Sequence, residues 1–379
     1  MKKLLCCVLS FAMLFTMAAC GKTPASSASQ STSGEELPEN TINYGLGVSD
    51  DGYYTNVDVA ELVSLPDDYK DIVLSKDDVT STEDDWNYFR SSIAAQAGTK
   101  ESGGEDAVAE LGKYVSVDFT GALNGEDFVG GSGTEVEMLL GSGMFLEDLE
   151  NGIVGHVAGD MFSVDVTFPE DYGQTTNTSG DTVSLSGMTA QFSVVVNEVY
   201  DYSLSNEQIA SYFETINSSL DDTEKVTDEA SMRAYFDKTM LETNIKNAAV
   251  AQLSEKLDFE VPQTLIDDYV EVELEIAELN ASATGYDLEE YLNLSGYATQ
   301  DEFEDYVANT ALPSIRTRCV LLAVAKAENL QYDDEACVEA FGYTKDILKE
   351  VYRYADGYVI QNVLCTKAAD VLADTAVVK

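Results

Sequence analysis

Basic residues are scarce in this chain of 379 residues, and the shortage excludes two kinds of partner. There are 21 Lys and Arg against 69 Asp and Glu, which gives a formal net charge of −48. Nucleic-acid binding needs basic surface that displaces counterions from phosphates, so nucleic acid is excluded as a partner. An anionic membrane surface repels a body of this charge, and membrane attachment must therefore be covalent or through an inserted segment.

Histidine, tryptophan and cysteine are also scarce. The single His, His156, shows no spacing typical of a Ser–His–Asp arrangement for nucleophilic catalysis. The single Trp, Trp86, recurs with Phe89 and Ile93 at helical spacing, which favours core packing over ligand binding. Three of the six Cys lie in the first twenty residues, and the other three, Cys319, Cys337 and Cys365, are odd in number and lack metal-ligand spacing. We therefore expect buried free thiols, with one oxidised pair as the alternative, and neither a metal nor a cofactor.

The first twenty residues have the layout of an export signal. Two lysines precede an apolar run over residues 4 to 15, which is too short for an ordinary membrane-spanning helix. Small residues then lead directly into Cys20, as in a bacterial lipoprotein signal. We expect a signal peptide over 1–19, a lipid on Cys20, an acidic and Ser-rich tether over 20–60, and an extracytoplasmic protein anchored to the cell membrane. A plain secretory signal is the alternative.

Alternating apolar residues predict a sheet in the middle of the chain. Four half-buried strands are expected around Val115 to Phe119, Val136 to Leu140, Phe162 to Phe168 and Phe192 to Val196. Between the second and third strands, Leu146, Leu149 and Ile153 lie on one face of a short predicted helix. The pattern contains no parallel βαβ repeat, so it indicates an α+β domain over 113–200.

Helical patterns flank this domain on both sides. A linker strand and a helix that starts at Thr82 are predicted over 61–112, and an edge strand is expected near 53 to 59. Beyond residue 200 the apolar period becomes helical, with capping pairs such as Ser205 and Gln208, so 201–379 is assigned to a helical domain. Pro313 is predicted to divide the helix from 299 to 329 in two.

Several short motifs in the predicted sheet resemble one family. The segment from Val115 to Val199 closely resembles the FKBP-type peptidyl-prolyl isomerase domain of bacterial trigger factor, in motifs such as Val-Asp-Phe-Thr-Gly at 117–121, Asn-Gly-Glu-Asp-Phe-Val-Gly-Gly at 124–131 and Val-Thr-Phe-Pro-Glu-Asp-Tyr at 166–172. Residues 65–96 and 226–339 resemble its linker helix and its helical substrate-cradling domain. The resemblance implies an FKBP-like α+β domain, a curled antiparallel sheet with a short helix, followed by an all-α trigger-factor-type C-terminal domain. No counterpart of the basic ribosome-binding domain is found, so ribosome docking is not expected.

The resemblance implies a pocket that rotates X-Pro bonds in unfolded or nascent exported polypeptides. Its implied catalytic walls are Phe119, Phe128, Phe145, Leu146, Leu149, Tyr172 and Phe192, with Met138 nearby as a substrate-binding residue. Leu146 would also offer its backbone N–H to the substrate. A purely structural role in the core is the alternative, above all for Phe119 and Phe192. His156 lies in a Gly-His-x-Ala-Gly turn and is expected to have a turn or surface role.

Some positions depart from the family pattern, and we expect weak turnover. Leu149 replaces an aromatic floor, Val129 replaces an acid, Glu147-Asp148 replaces a Pro-Gly turn, and the loop 173–187 is expected to carry no His or apolar flap residue. The sequence therefore predicts a lipid-anchored extracytoplasmic prolyl isomerase and chaperone for exported proteins. The alternative is a non-catalytic holdase with a degenerate pocket. A solute receptor for a transporter is disfavoured, because the helical second half lacks parallel sheets.

Overall fold

The computed structural model describes residues 42–169, 172, 174–180, 182–352 and 354–379. The predicted signal peptide, Cys20 and the first part of the predicted tether lie outside the described residues. The described chain divides into two compact units, a central unit of residues 81–240 and a terminal unit of residues 42–80 together with 241–379. The terminal unit thus contains both a segment that precedes the sheet and the helices that follow it, whereas the predicted helical domain began at residue 201.

The helices and strands within the described ranges are, in chain order, α1 (Val59–Leu62), β1 (Val73–Leu74), α2 (Lys76–Val79), α3 (Glu83–Ala97), β2 (Thr99–Ser102), β3 (Tyr114–Leu123), β4 (Glu126–Leu139), α4 (Glu147–Ile153), β5 (Met161–Thr167), β6 (Gln174–Thr176), β7 (Thr182–Ser184), β8 (Thr189–Ser203), α5 (Asn206–Tyr212), α6 (Glu214–Asn217), α7 (Glu229–Lys256), α8 (Gln263–Thr284), α9 (Leu288–Leu294), α10 (Gln300–Ala327), α11 (Asp334–Phe341), α12 (Lys345–Glu350), α13 (Asp356–Thr375) and β9 (Val377–Val378).

The central unit is built on an antiparallel five-stranded sheet. Its strand order is β2-β8-β3-β4, and β5 also pairs with β8. Val115 and Val117 of β3 are fully buried between their neighbours, as the alternation predicts. The short helix α4 packs close to β5 because residue 152 is glycine, where a Cβ would come within 2.5 Å of Val164. The expected α+β architecture, an antiparallel sheet with a short helix, is confirmed.

Helix α3 starts and packs as its sequence indicates. The Thr82 side chain accepts a hydrogen bond from the Asp85 N–H, and the Asp85 carboxylate accepts from the Thr82 N–H, which completes a capping box. Trp86 is only 7% exposed, and its ring centroid lies 5.5 Å from that of Phe236. The core role predicted for the single Trp is therefore confirmed.

The terminal unit is centred on α10 and α13. Residues 319–325 of α10 are buried almost completely, and they pack in one cluster with residues 364–372 of α13. Cys319, Cys337 and Cys365 are free and buried in the structure, in agreement with the predicted thiols. No helix in the described ranges combines the length and the apolar character that crossing a membrane requires.

Residues 42–80, which include part of the predicted tether, are packed into the terminal unit. The edge strand expected near 53 to 59 is absent here; the Asp58 side chain instead caps the helix α1 by accepting the Ala60 N–H, and Val59 is 1% exposed. Burial of Val59 against the helical core outweighs its strand preference. Further on, the extended segment predicted at 72–74 forms β1, which pairs in parallel with β9 at the other end of the chain.

Pro313 does not divide α10, so that prediction is wrong. The helix is continuous from Gln300 to Ala327 with the proline inside it. A proline in a helix interior costs about 3 kcal/mol because it removes a backbone hydrogen bond and crowds the preceding turn. The segment that follows it is buried on all sides, and this packing outweighs the local cost.

Candidate functional site

Six aromatic rings from the sheet and from the loops between its strands meet in the central unit. Phe192 on β8 is at the centre, with ring centroids 6.0 Å from Phe119 and 6.2 Å from Phe128. Phe145 contacts Phe119 at 6.5 Å, and Phe168 lies between Phe128 and Tyr172 at 6.1 and 4.6 Å. We call these six residues the aromatic cluster. The sheet thus brings together five wall residues that the resemblance implies.

Two glycines make room for the central rings. A Cβ on Gly121 would lie 2.6 Å from the ring of Phe192, and one on Gly131 would lie 2.8 Å from the ring of Phe128. Such separations are shorter than real Cβ contacts, so any side chain at either position would displace a ring. These glycines are therefore required by close packing inside the cluster.

The remaining implied pocket residues surround the same cluster. Met138 and Leu149 are 2% and 4% exposed, so they form part of the closed core. Phe145 and Leu146 are half-buried, which places their side chains at the open edge of the cluster. Leu146 precedes α4, and among the described residues its backbone N–H has no hydrogen-bond acceptor. It is therefore available to a ligand carbonyl.

One carboxylate holds the loop that carries Phe145 and Leu146. Glu150 is 3% exposed, and its side chain accepts hydrogen bonds from the N–H groups of Gly141 at 2.8 Å and Phe145 at 3.0 Å. Sequence reasoning missed this residue. The available signal was an acid four residues after Leu146 on the apolar face of a predicted helix, directly after a Gly-rich loop.

Phe168 was also missed as a site residue. Its alternation with Val164 and Val166 identified it as a strand residue, and the side chain is 4% exposed. The structure shows that it joins Tyr172 to the rest of the cluster. Tyr172 is itself 47% exposed, so it lies at the rim of the cluster.

The loop between Tyr172 and Met188 contributes apolar residues, contrary to expectation. Leu185 is 4% exposed and Val183 packs against the same core, so the prediction of a loop without apolar flap residues is wrong. Composition hid them, because single apolar residues in a Thr, Ser and Gly run have no period. A cavity of about 240 Å³ lies beside this loop, lined by Leu123, Asn124, Glu126, Phe128, Asn177 and Val183.

Three of the positions that depart from the family pattern lie on the rim, whereas Leu149 is in the closed core. The Val129 side chain is 70% exposed, and Glu147 and Asp148 are also exposed. Asp148 accepts a hydrogen bond from the Thr167 N–H at 3.0 Å, which ties the start of α4 to β5. Since no Lys or Arg occurs between Lys113 and Lys225, this acidic rim has no basic neighbour within its own stretch of sequence.

His156 has the turn role that was expected. Its ring stacks on Phe162 with centroids 3.6 Å apart, and Nδ1 lies 3.0 Å from Oδ2 of Asp160. The Val157 N–H and the imidazole hold the pKa of Asp160 below its usual range, because both hydrogen bonds favour the carboxylate. The ring belongs to a turn and is not part of the aromatic cluster.

Candidate metal ligands are not grouped in the described part of the chain. No group of three or more His, Cys, Asp or Glu side chains is arranged there to hold a metal ion. The cluster offers instead a dry aromatic surface, an unpaired backbone donor and an anionic rim. An arrangement of this kind can bind an apolar, carbonyl-bearing segment of polypeptide.

Comparisons with known proteins agree with this geometry. Residues 105–197 match the family described as FKBP-type peptidyl-prolyl cis-trans isomerase, and residues 219–350 match the bacterial trigger factor C-terminus. Curated relatives named trigger factor include one from Macrococcus caseolyticus, 29% identical over 80% of this chain and 70% of the relative, and one from Halothermothrix orenii, 30% identical over 71% and 60%.

A third trigger factor, from Acetivibrio thermocellus, is 27% identical over 82% of this chain and 72% of its own length. The chain thus spans 60% to 72% of the length of these three relatives. A solved structure of the trigger factor chaperone covers 82% of this chain at 16% identity, with a TM-score of 0.26.

Proposed function

We propose that this trigger factor-like FKBP-type peptidyl-prolyl isomerase works outside the cytoplasm, anchored by a lipid on Cys20, and assists the folding of exported proteins. The isomerase half of the proposal rests on the aromatic cluster with the open Leu146 N–H beside it. Its substrates are X-Pro bonds in unfolded segments. The anchored half rests on the pattern of the first twenty residues.

The proposed mechanism requires an apolar pocket and a hydrogen-bond donor, and it requires no reactive side chain. Rotation about an amide faces a barrier of roughly 18–20 kcal/mol, because the twisted bond loses its resonance. The twisted form has a smaller dipole than the planar form, so a dry aromatic surface solvates it better, relative to the planar form, than water does. A hydrogen bond from the Leu146 N–H would hold the substrate carbonyl while the proline ring lies among Phe119, Phe145 and Phe192.

A protease-coupled prolyl-peptide assay on the full chain in detergent tests the isomerase activity. Phe145→Ala removes a half-buried wall ring, and we expect the catalytic efficiency to fall about tenfold because of the lost apolar contact. Phe162→Ala is the matched control, since that ring is half-buried in the same domain but stacks on His156 instead. A wild-type rate equal to the uncatalysed rate would reject the activity.

The helical terminal unit supplies the proposed chaperone surface. A small core formed by Ala277, Leu292, Phe303 and Val307 holds α8, α9 and the first half of α10 together. Around it, large apolar side chains are exposed: Leu294 at 67% and Tyr306 at 54%. Such side chains offer weak, sequence-tolerant contacts to unfolded polypeptide.

The lipid anchor has its own test. A Cys20→Ala variant expressed in a bacterium should no longer incorporate labelled fatty acid and should leave the membrane fraction. Cys365→Ala serves as the control, because that thiol is buried in the folded chain and unavailable for acylation. Wild-type protein that remains in the cytosol without a lipid would reject the anchored location and leave the isomerase proposal intact.

The second candidate is a holdase with a pocket that binds without turnover. It is favoured by the 47% exposure of Tyr172 and by Leu149 in place of an aromatic floor. This candidate predicts that the chain suppresses aggregation of an unfolded client and that Phe145→Ala leaves both the suppression and the prolyl rate unchanged.

A further inference from the structure

Glu150 is an unusual residue for the inside of this domain. At 3% exposure it is the one buried acid among the described residues, and no Lys or Arg occurs within 36 residues before it or 74 residues after it. A buried charge is costly unless polar partners replace its water. The nature of its partners therefore indicates its role.

Among the described residues, every hydrogen-bond partner of the Glu150 side chain belongs to the loop from residue 141 to 145. Oε2 accepts from the N–H groups of Gly141 at 2.8 Å and Gly143 at 3.3 Å. Oε1 accepts from the N–H of Phe145 at 3.0 Å and from the Ser142 hydroxyl at 3.4 Å. One carboxylate thus engages alternate N–H groups along the whole loop.

The backbone of the loop is shaped for this contact. Gly141 and Gly143 have φ values of 86° and 72°, in the left-handed region that glycine tolerates best. A left-handed residue at every second position turns alternate N–H groups toward the same side. They converge on Glu150, and the loop curves around the carboxylate.

The consequence for the site concerns the next residue, Leu146. The N–H of Phe145 is taken by Glu150, whereas that of Leu146 remains open at the edge of the aromatic cluster. Phe145 and Leu146 are adjacent, so the direction of the Leu146 N–H is set by the peptide that Glu150 holds.

We propose that Glu150 is a positioning residue for the isomerase site: by holding the loop 141–145 it fixes the Phe145 ring and aims the Leu146 N–H at the substrate carbonyl. This inference rests on the proposed isomerase function. Only a carboxylate serves, since it accepts hydrogen bonds at both oxygens, whereas a glutamine amide would turn an NH₂ group toward one set of N–H donors.

The test compares three variants of the full chain in the prolyl-peptide assay. Glu150→Gln keeps the shape of the side chain and loses one acceptor. Asp165→Asn removes the same charge at an exposed position on β5 of the same domain. Ile153→Val, at the last residue of α4, which is 0% exposed, lowers stability through packing and leaves the Glu150 side chain in place.

For Glu150→Gln we expect the catalytic rate constant to fall at least tenfold, because displacing a catalytic group by about 1 Å can lower the rate roughly 100-fold. The dissociation constant for a proline-containing peptide should stay within about threefold, since the aromatic cluster remains. The amide resonance of Leu146 should shift in Glu150→Gln and stay unchanged in Ile153→Val. Both control variants should keep the rate constant within about twofold.

Two outcomes overturn the inference while the wild type is active. One is a Glu150→Gln rate constant no lower than that of Ile153→Val, and the other is a lower rate constant with an unchanged Leu146 resonance. If Glu150→Gln does not fold, Gly143→Ala decides, since its Cβ meets no atom within 4 Å and strains only the left-handed backbone of the loop. A wild-type rate in that variant would overturn the inference. A wild type without activity would instead reject the proposed function.

Discussion

The central and terminal units differ in where their basic side chains form ion pairs. The terminal unit places basic side chains in ion pairs that fasten its first segment to α10: Lys326 to Asp58 at 2.7 Å and Lys70 to Glu328 at 2.6 Å. The central unit pairs Lys100 with Glu137 and Glu198, and Lys113 with Asp201. From Tyr114 to Ser203, however, the sequence contains fifteen Asp and Glu and neither Lys nor Arg. Basic side chains therefore fasten the first segment of the terminal unit to α10, whereas the exposed acids around the aromatic cluster have no ion pair among the described residues.

The two units also differ in what they leave open. The aromatic cluster has half-buried edges at Phe145 and Leu146, as a binding site requires. The middle of the terminal unit is closed, with Cys319 and Val320 0% exposed. The central unit, with its half-open aromatic cluster, and the terminal unit, with its closed core, should therefore respond differently to the same chemical reagents and substitutions.

Thiol reactivity gives the largest expected contrast. Burial raises the pKa of Cys319 and of Cys365 to about 12, because the thiolate would lose its hydration. Since the thiolate is the nucleophile, alkylation of either residue at pH 8 should be about a thousandfold slower than for a free thiol. Mass spectrometry of the Cys319 and Cys365 peptides after iodoacetamide treatment measures this.

A cysteine placed in the central unit is the matched control. Ser179→Cys lies at an exposed position of the loop beside the aromatic cluster and should react at the rate of a free thiol. Equal labelling of Cys365 and of the new cysteine in the folded chain would show that the terminal core opens freely, and the contrast between the units would fail.

Pairing of the last residues of the chain with residues 72–76 gives the next effect. The last strand donates from Val377 to the Ile72 carbonyl and from Lys379 to the Leu74 carbonyl, and the Lys379 carbonyl accepts from Lys76. Deleting residues 377–379 should lower the free energy of unfolding by about 3 kcal/mol, at about 1 kcal/mol for each lost backbone hydrogen bond. A urea titration followed by circular dichroism measures the loss.

The control changes side chains and keeps the backbone. Val377→Thr and Val378→Thr alter exposed side chains and should shift the free energy of unfolding by less than about 0.5 kcal/mol. A deletion that is equally harmless would mean that the ion pairs at Asp58 and Glu328 hold the segment. Surface pairs of this exposure contribute at most about 1 kcal/mol each, so we expect the deletion to matter more.

The aromatic cluster was largely predictable and the terminal unit was not. Period-2 alternation assigns Phe119 and Phe192 to the inner face of a sheet, and short motifs around glycine locate the loops between strands. Strands of two residues, such as β1 and β9, have no period, so a pairing between residues 73 and 377 leaves no trace in the sequence. The prediction that Pro313 divides its helix failed for a related reason, since burial of the residues that follow it outweighs the local cost of a proline in a helix.

The burial of Glu150 could not be predicted from the sequence, although it lies in the domain whose fold could be. An acid on a short helix is normally a solvated residue, and Glu147 and Asp148 on the same helix are exposed. What distinguishes Glu150 is the left-handed backbone at Gly141 and Gly143, which turns N–H groups inward. A charge that is satisfied by backbone donors several residues away is visible only in three dimensions.

A variant that separates the proposed chaperone activity from the proposed isomerase activity should give a smaller effect. Leu294→Ser removes an apolar side chain that is 67% exposed on the terminal unit, and it should raise the chain concentration needed to suppress client aggregation by about three- to tenfold. The prolyl rate should stay within twofold. Light scattering of a denatured client and the peptide assay measure the pair, with Glu289→Ser as a control at an exposed polar position on the same helix. Loss of both activities in Leu294→Ser would mean that the units do not act separately.

The smallest expected effect concerns the unbalanced charge of the central unit. Exposed Glu126, Asp127, Glu147 and Asp148 surround the cluster without a basic residue between Lys113 and Lys225, so the local potential is negative. A prolyl peptide flanked by lysines should therefore be turned over about three- to tenfold faster at 20 mM salt than one flanked by glutamates, through faster association. At 500 mM salt the ratio should approach one, since screening then acts over a few ångströms.

Glu147→Gln with Asp148→Asn should reduce the ratio at low salt, whereas the same changes at Glu304 and Asp305 on α10 should leave it unaltered. A preference that persists at high salt would instead require specific contacts to the lysine, for which the rim offers only exposed carboxylates with little pairing energy.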